Sequence, residues 1–222
     1  MKVILFGATG MVGQGVLREC LVDPEVSAVL AAGRTPTGQS HPKLKEIVPR
    51  DFFDFSKHEA DLRGYDACFF CLGVSSAGMN EAAYRRITFD MTLAAAGTLA
   101  KVNPGMTFIY VSGMGTDSTE RGRYMWARVK GATENALLKL PLKAVMFRPA
   151  FIRPMHGVTA KTRWVRVLLT VTTPLFPVLQ AVFPKHVTTT ERVGRAMLIV
   201  AKRGAPRPVL ESPEIDRLGR SP

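Results

Sequence analysis

Short apolar stretches alternate with amphipathic stretches over the first two thirds of the chain. The apolar stretches contain few internal polar residues, which is typical of strands buried on both faces of a parallel sheet. They predict strands at residues 3–6, 28–32, 47–48, 67–72, 108–111 and 143–147. The intervening stretches predict helices at residues 12–21, 56–63, 81–101 and 124–140. The alternation predicts an α/β fold, a Rossmann-type doubly wound parallel sheet with strand order 3-2-1-4-5-6.

The last third of the chain has a different pattern. Residues 164–183 are apolar over the length of a membrane span, but Arg166, Pro174 and Pro177 argue against a spanning helix. We expect residues 155–186 to form a small lid on the substrate side of one domain that covers the whole chain. A basic amphipathic surface within this region, resting on a membrane or a partner, is the alternative.

One more helix is predicted close to the C-terminus. Thr188 and Glu191 have the spacing of a capping box, and apolar residues follow them at helical intervals. Gly204, which follows two basic residues, is typical of the end of a helix.

Composition restricts the class of protein. A chain of 222 residues with 46% hydrophobic and 22% charged residues predicts one globular domain. The net charge of +12 favours an anionic partner, but the basic residues form no block and no nucleic-acid-binding motif. We therefore expect a phosphate-bearing cofactor and a small anionic substrate, and no nucleic acid.

The cysteines point to a reducing compartment. The chain has three of them, too few for a disulfide framework, and no secretory leader precedes the first strand, which predicts a cytoplasmic protein. Cys68 and Cys71 lie three residues apart on a predicted strand, so their side chains should point to opposite faces. Core packing is the interpretation we favour over a metal site, and no other cluster has metal-ligand spacing.

The first predicted strand runs into a glycine-rich turn with the pattern G-x-x-G-x-x-G. Gly7 permits the tight turn, Gly10 lets the backbone approach a pyrophosphate, and Gly13 lets helix and strand pack closely. The N-terminus of the next helix offers N–H groups to phosphates. The turn predicts a bound dinucleotide. The expected contacts here are Gly7, Thr9, Gly10, Met11, Val12 and Gly13.

The residues after the second strand indicate which dinucleotide binds. A carboxylate there would bind the ribose 2′-hydroxyl of NAD, whereas a cation would bind the 2′-phosphate of NADP. No acidic residue lies between Glu25 and Glu46, and the guanidinium of Arg34 can bind a phosphate through several donors. The sequence favours NADP over NAD, with Arg34 and Thr35 as contacts; a solvated loop arginine is the alternative.

Several short motifs together resemble the atypical short-chain dehydrogenases/reductases. The resemblance covers residues 1 to about 155 and is closest to the NAD(P)H-binding, sugar-epimerase-like and flavin-reductase-like members. Its motifs are the glycine turn, Asp54-Phe55, Leu72-Gly73, Val111-Ser112 and Val129-Lys130-Gly131. The resemblance implies a nucleotide-dependent oxidoreductase or epimerase.

The same resemblance implies roles for individual residues. Asp54 and Phe55 would flank the adenine, and Leu72 and Gly73 would lie beneath the nicotinamide ribose. Lys130 would hold the hydroxyls of that ribose. At the substrate, Ser112 would polarise an oxygen atom.

One position departs from the family pattern. The family's proton donor is a tyrosine four residues before the lysine, and Trp126 stands there. Four residues turn a helix to within about 40° of the starting direction, so Trp126 and Lys130 should share a face. An indole N–H is no acid at physiological pH. Tyr124 could reach the site only if the helix began after it.

Other candidates follow from position alone. Arg148 and Pro149 follow the sixth strand and should face the nicotinamide. His156 is a candidate acid or a structural histidine. Residues 84–86, with the sequence Tyr-Arg-Arg, are a substrate contact or a charged helix face.

Two functions remain open on the sequence. The first is an NADP(H)-binding oxidoreductase that transfers hydride to a flavin, quinone or carbonyl acceptor without the usual tyrosine. The alternative is a catalytically inactive NADP(H)-binding regulatory or scaffold protein. Trp126 favours the second, whereas Ser112 and Lys130 favour the first.

Overall fold

The computed structural model describes residues 1–158 and 187–220. Within them, seven strands form one parallel sheet in the order β3-β2-β1-β4-β5-β6-β9, and β7 pairs with β8 in parallel beside it. The predicted order of the first six strands is confirmed. The strands are β1 (Lys2–Phe6), β2 (Ala28–Ala32), β3 (Leu44–Ile47), β4 (Ala67–Phe70), β5 (Thr107–Val111), β6 (Lys143–Arg148), β7 (Phe151–Arg153), β8 (Val187–Thr189) and β9 (Val209–Glu211).

Helices cover both faces of the sheet. In the described residues they are α1 (Met11–Val22), a 3₁₀ turn (Ser56–His58), α2 (Glu59–Leu62), α3 (Glu81–Arg85), a π segment (Arg86–Asp90), α4 (Met91–Val102), α5 (Met125–Leu137), α6 (Thr190–Arg203) and α7 (Ser212–Arg220). Alternate residues of β1 enter two separate cores: Val3 and Leu5 pack with α1 and α6, whereas Ile4 and Phe6 pack with α4. The doubly wound prediction is therefore confirmed.

Cys68 and Cys71 follow the same alternation. Cys68 is buried in the core with α4, and Cys71 packs against the core with α1. The prediction that they point to opposite faces is confirmed, and neither takes part in a disulfide.

Two predicted elements differ in extent from the observed ones. The third strand was predicted at residues 47–48 but covers Leu44–Ile47, because it lies at the sheet edge and carries the polar Lys45 and Glu46. The helix predicted at residues 81–101 is interrupted by the π segment. Tyr84 is consequently buried rather than part of a charged face, while Arg85 and Arg86 are exposed.

The C-terminal helix holds the glycine-turn helix in place. A β-carbon on Gly15 of α1 would lie 2.4 Å from Cβ of Thr190, and one on Gly194 of α6 would lie 2.8 Å from Cγ of Glu19. Helix α6 begins at Thr190 and is capped by Thr189, whose hydroxyl accepts from the amide of Arg192. The helix predicted there is confirmed, with its cap one residue later.

Most of the predicted lid, residues 159–186, lies outside the described residues, as does the apolar stretch 164–183. In the part of the chain that is described, no helix combines the length and the apolar character needed to cross a membrane.

Candidate dinucleotide and substrate site

The glycine turn is packed so tightly that two of its positions admit no side chain. Gly7 has φ +81°, and a β-carbon there would lie 2.9 Å from the backbone of Cys71 and Leu72. A β-carbon on Gly13 would lie 2.0 Å from the carbonyl oxygen of Gly7. The turn therefore lies directly against the residues that follow β4, and α1 leaves it at once.

The N-terminus of α1 is open to an anion. Its cap is Gly10, which contributes no side-chain hydrogen bond, and the first turn contains no acidic residue. The amide of Gly10 donates to the carbonyl of Gly7 over 2.9 Å, which fixes the turn. The first amides of a helix lack intrahelical acceptors, and the helix dipole favours negative charge at this end. The start of α1 is thus free of side-chain caps and of acidic residues, as the predicted phosphate site at residues 9–13 requires.

A largely apolar cavity of about 140 Å³ opens beyond the turn, where the strands end. Arg34 lies at it, exposed, and makes no hydrogen bond or ion pair with the described part of the chain. The cavity is lined by Arg34, Phe52, Leu72, Gly73, Val74, Ile87, Thr88 and Met91. Three of these, Arg34, Leu72 and Gly73, were expected at the dinucleotide. The other five residues were not predicted. Two of them, Ile87 and Thr88, belong to the π segment, which breaks the helical periodicity on which the prediction depends.

Asp54 and Phe55 do not line this cavity. Phe55 is buried in the core, where its ring meets that of Phe6 edge-on at 5.6 Å. Asp54 is exposed and accepts from the amide of Ser56 over 2.8 Å, a bond that lowers the pKa of its carboxyl. Phe52, two residues before Asp54, is the aromatic residue at the cavity.

The loop after β2 is held from the neighbouring strand. Thr37 donates to the carboxylate of Glu46 through its amide at 3.0 Å and also through its hydroxyl. Thr35 lies in the same small space as Thr9 of the glycine turn. Glu46 is the nearest acid along the sequence after Arg34, and it is occupied by Thr37.

Ser112 follows β5 and is buried. Its hydroxyl donates to the carboxylate of Glu134 at 2.5 Å and to the carbonyl of Phe147 at 3.2 Å. Arg148 binds the same carboxylate through Nε at 3.0 Å and through Nη2, which raises the pKa of the guanidinium. Arg148 also contacts Ser118 at 2.6 Å. The structure thus brings Ser112 and Arg148 together in a buried charged network.

Lys130 lies half-buried above this network. Its ammonium donates to the carbonyl oxygen of Ser112. A β-carbon on Gly113 would lie 3.8 Å from its Nζ, so the absence of a side chain there leaves room beside the amine. Burial lowers the pKa of Lys130 to about 8, against the opposing effect of Glu134.

Trp126 and Lys130 face the same loop, as predicted. The indole of Trp126 packs against Gly115, where a β-carbon would lie 3.2 Å from Cη2 of the ring. Helix α5 begins at Met125, so Tyr124 lies just before the helix, as it must if it is to reach the site. The side chain of Tyr124 is nevertheless 63% exposed.

The loop after β5 is fixed onto α5 by Asp117. Its carboxylate accepts from the amides of Thr119, Arg121 and Gly122 at 2.6 to 3.0 Å, and its pKa is lowered, chiefly by the Thr119 hydroxyl. A β-carbon on Gly131 would lie 1.8 Å from the carbonyl oxygen of Asp117. Gly131 is therefore the position at which α5 packs directly against the backbone of this loop.

The remaining candidates lie around this centre. Nε2 of His156 lies 3.1 Å from the carboxylate of Glu191 on α6. The carbonyl of Pro149 accepts from the amide of Met114 at 2.9 Å. Arg86 stacks on the ring of Phe53 at 5.1 Å. Among the described residues, no group of His, Cys, Asp or Glu could hold a metal ion.

Solved structures share this architecture. The Bordetella bronchiseptica enzyme WbmF, in complex with NAD+, matches with a TM-score of 0.68 and 16% identity, over 98% of this chain and 76% of its own. UDP-glucose 4-epimerase from Thermotoga maritima, with UDP-glucose, matches with a TM-score of 0.67 and 14% identity, over 95% of this chain and 76% of its own.

A short-chain dehydrogenase/reductase superfamily protein from Agrobacterium tumefaciens, with bound NAD, matches with a TM-score of 0.65 and 12% identity, over 95% of this chain and 77% of its own. Neither a protein-family model nor a curated protein sequence matches the chain. At these identities the likeness establishes the fold alone: this chain shares the Rossmann-type fold of these proteins.

Proposed function

We propose that this protein binds NADP(H) across the carboxyl ends of β1, β2, β4 and β5 and uses it as an oxidoreductase. The observation that carries the proposal is the uncapped N-terminus of α1, reached through a turn that only glycine can form at Gly7 and Gly13. Next to it lies an apolar cavity with Arg34, which has no partner among the described residues. An anion site beside an apolar cavity fits the pyrophosphate and the adenine of one dinucleotide.

Each part of the dinucleotide has a candidate partner. The amides of residues 9–13 would bind the pyrophosphate, and Phe52 would contact the adenosine. Leu72 and Gly73 line the same cavity, and their predicted place beneath the nicotinamide ribose stays a prediction. Lys130 would hold the hydroxyls of the second ribose. Contacts of Asp54, Phe55, Arg148 and Pro149 with the cofactor, and of the Ser112 hydroxyl with a substrate, stay predictions.

Arg34 is the basis for choosing NADP over NAD. Its guanidinium lies at the cavity and has no partner within residues 1–158 and 187–220, and an arginine binds a phosphate through charge-assisted hydrogen bonds. The neighbouring acid, Glu46, accepts two bonds from Thr37 at Oε1 and is not among the residues that line the cavity. The similar structures of WbmF and of the Agrobacterium tumefaciens protein contain NAD+ and NAD. The choice of NADP over NAD therefore has to be tested by binding measurements on this chain.

Bound NADPH would supply a hydride, and Lys130 and the loop after β5 would orient the nicotinamide ribose and the acceptor. The substrate would lie beside Gly113, Gly115 and Trp126, where the loop after β5 leaves room above Lys130. A flavin, quinone or carbonyl acceptor suits this site, since Trp126 provides an aromatic surface. A regulatory protein that only binds NADP(H) is the second candidate, and the specific observation in its favour is that Trp126 cannot donate a proton.

Calorimetric titration with NADPH and NADH tests the proposal. Arg34→Ala is expected to weaken NADPH about 10- to 100-fold and to leave NADH within about twofold, because only NADPH has the 2′-phosphate. Arg63→Ala is the matched control, since Arg63 is exposed at the opposite end of the strands. Equal losses for both nucleotides would contradict the choice of NADP. No binding of either would contradict the proposed function.

A further inference from the structure

Few groups at the proposed reaction site can release a proton. The hydroxyl of Ser112 is buried and donates to Glu134. Trp126 has no acidic proton. Tyr124 is largely exposed, and His156 is paired with Glu191 on α6. Glu134, Arg128 and Arg148 also reach the loop after β5, but each is held in an ion pair. Lys130 places its amine beside Ser112 and Gly113 at the start of this loop and forms no ion pair in the described structure.

The position of Lys130 suits a donor. One N–H of the ammonium is used by the carbonyl oxygen of Ser112. An ammonium has three N–H groups, so two remain for a ligand. Gly113 lacks a side chain on the side where Nζ lies, and the nearest other atom around that position is the carbonyl oxygen of Pro149. The amine is thus fixed at one N–H and open toward the site.

The surrounding charges leave burial as the main influence on this amine. Glu134, on the same helix, is bound by Arg148 of β6, which also lies 3.4 Å from Glu211 of β9. From α3, Glu81 is paired with Arg128. Burial therefore outweighs Glu134 and brings the pKa of Lys130 to about 8. A general acid works best when its pKa lies close to the working pH.

We propose that Lys130 is the proton donor of the reductive half-reaction, in the position where a tyrosine is missing. The inference rests on the proposed function. The C–H bond of the dihydronicotinamide breaks, and its hydride forms a new C–H bond at the carbonyl carbon of the acceptor. The electron pair of the C=O bond moves to the oxygen, which takes a proton from Nζ of Lys130. NADP+ and an alcohol are the products, and the neutral amine regains a proton from water.

Nuclear magnetic resonance measures the titration of this amine without any substrate. The protein is labelled with [¹³C]lysine, and the Cε signal of Lys130 is identified by its absence in Lys130→Arg. We expect a midpoint at about pH 8, well below the 10.5 of an unperturbed lysine. A midpoint at that unperturbed value would overturn the proposal.

The pH dependence of NADPH oxidation tests the transfer itself, with 9,10-phenanthrenequinone as the carbonyl probe. For the wild type, kcat is expected to fall tenfold per pH unit above the midpoint of Lys130. Lys130→Arg should bind NADPH within a few-fold of the wild type, lose about 100-fold or more in kcat, and lose that pH dependence. Tyr124→Phe is the control for the other candidate and should leave the profile unchanged.

The outcomes separate the two proposals. No NADPH binding by the wild type contradicts the proposed function itself. Binding with full kcat in Lys130→Arg, or loss of kcat in Tyr124→Phe, overturns only the role of Lys130. Binding without oxidation of NADPH also overturns that role and favours the regulatory candidate.

Discussion

The two ends of the proposed site are built in different ways. At the glycine turn, the backbone itself makes the site, and the close packing around Gly7 and Gly13 leaves no room for a side chain at either position. In the loop after β5, buried charges make the site, and Lys130 lies over an ion pair between Glu134 and Arg148. A backbone site depends on residues adjacent in sequence, whereas a charged site depends on partners from several elements. In the proposed function, the first end would bind the dinucleotide and the second would act on the substrate.

The largest effect is expected at the backbone end. Gly13→Ala would place a methyl group 2.0 Å from the carbonyl oxygen of Gly7, so the turn must open. We expect a loss of about 4 kcal/mol or more in the free energy of unfolding, measured by urea denaturation. Gly97→Ala, at an open position of α4, is the control and should stabilise by up to about 1 kcal/mol. Equal effects of the two substitutions would contradict the tight packing of the turn.

Breaking the ion pair between Glu134 and Arg148 at the other end should lower the free energy of unfolding by a somewhat smaller amount. Glu134→Gln removes the charge that binds Arg148 and accepts from Ser112, and it leaves a buried guanidinium poorly compensated. The expected loss is about 3 kcal/mol in urea denaturation. Glu59→Gln is the matched variant, because the pair of Glu59 with Lys101 is exposed and should contribute at most about 1 kcal/mol. A loss for Glu134→Gln no greater than for Glu59→Gln would show that the network adds little stability.

Lys130→Met should have the smallest effect and the opposite sign at neutral pH. In the wild type, the pKa of Lys130 falls from 10.5 in the unfolded chain to about 8 in the folded protein. Below pH 8 the folded protein is therefore destabilised by the burial of an ammonium group. The fall in pKa corresponds to about 3 kcal/mol, and loss of the hydrogen bond to Ser112 offsets about 1 kcal/mol of it, so the variant should be more stable than the wild type at pH 7 by about 2 kcal/mol. The gain should shrink as the pH rises from 8 and vanish above the unfolded pKa.

Thermal and urea unfolding between pH 7 and pH 10.5 measure that difference. Lys143→Met, at an exposed position, is the control and should stay within about 0.5 kcal/mol throughout. A gain for Lys130→Met that is independent of pH would mean that the amine does not change its charge in this range.

The sequence predicts the backbone end of the site better than the charged end. Gly7 and Gly13 were predicted with their roles, since each acts on residues within the same turn. The partner of Ser112 was not predicted, because Glu134 lies 22 residues away in sequence and no local pattern marks it. Phe55 was expected at the adenine, yet Phe52 lines the cavity. Which of these two phenylalanines lines the cavity depends on which of their rings packs against Phe6 in the core, and in the structure that ring belongs to Phe55.

The fold shows the same contrast. The order of six strands follows from local alternation and right-handed crossovers, and it was predicted. Strand β9 was missed because it has only three residues, and its pairing with β6 bridges 63 residues from Arg148 to Glu211. The burial of Tyr84 was missed as well, since the π segment after it shifts the face that the helix presents.

Energy transfer from Trp126 to bound NADPH tests the central claim most directly. The chain has two tryptophans, so Trp164→Phe leaves Trp126 as the single donor, next to the loop after β5. The account predicts that NADPH quenches the emission of Trp126 with one-to-one stoichiometry, that dihydronicotinamide emission rises in parallel, and that NADP+ reverses both changes. NADPH that binds without changing the emission of Trp126, or that does not bind, would contradict it.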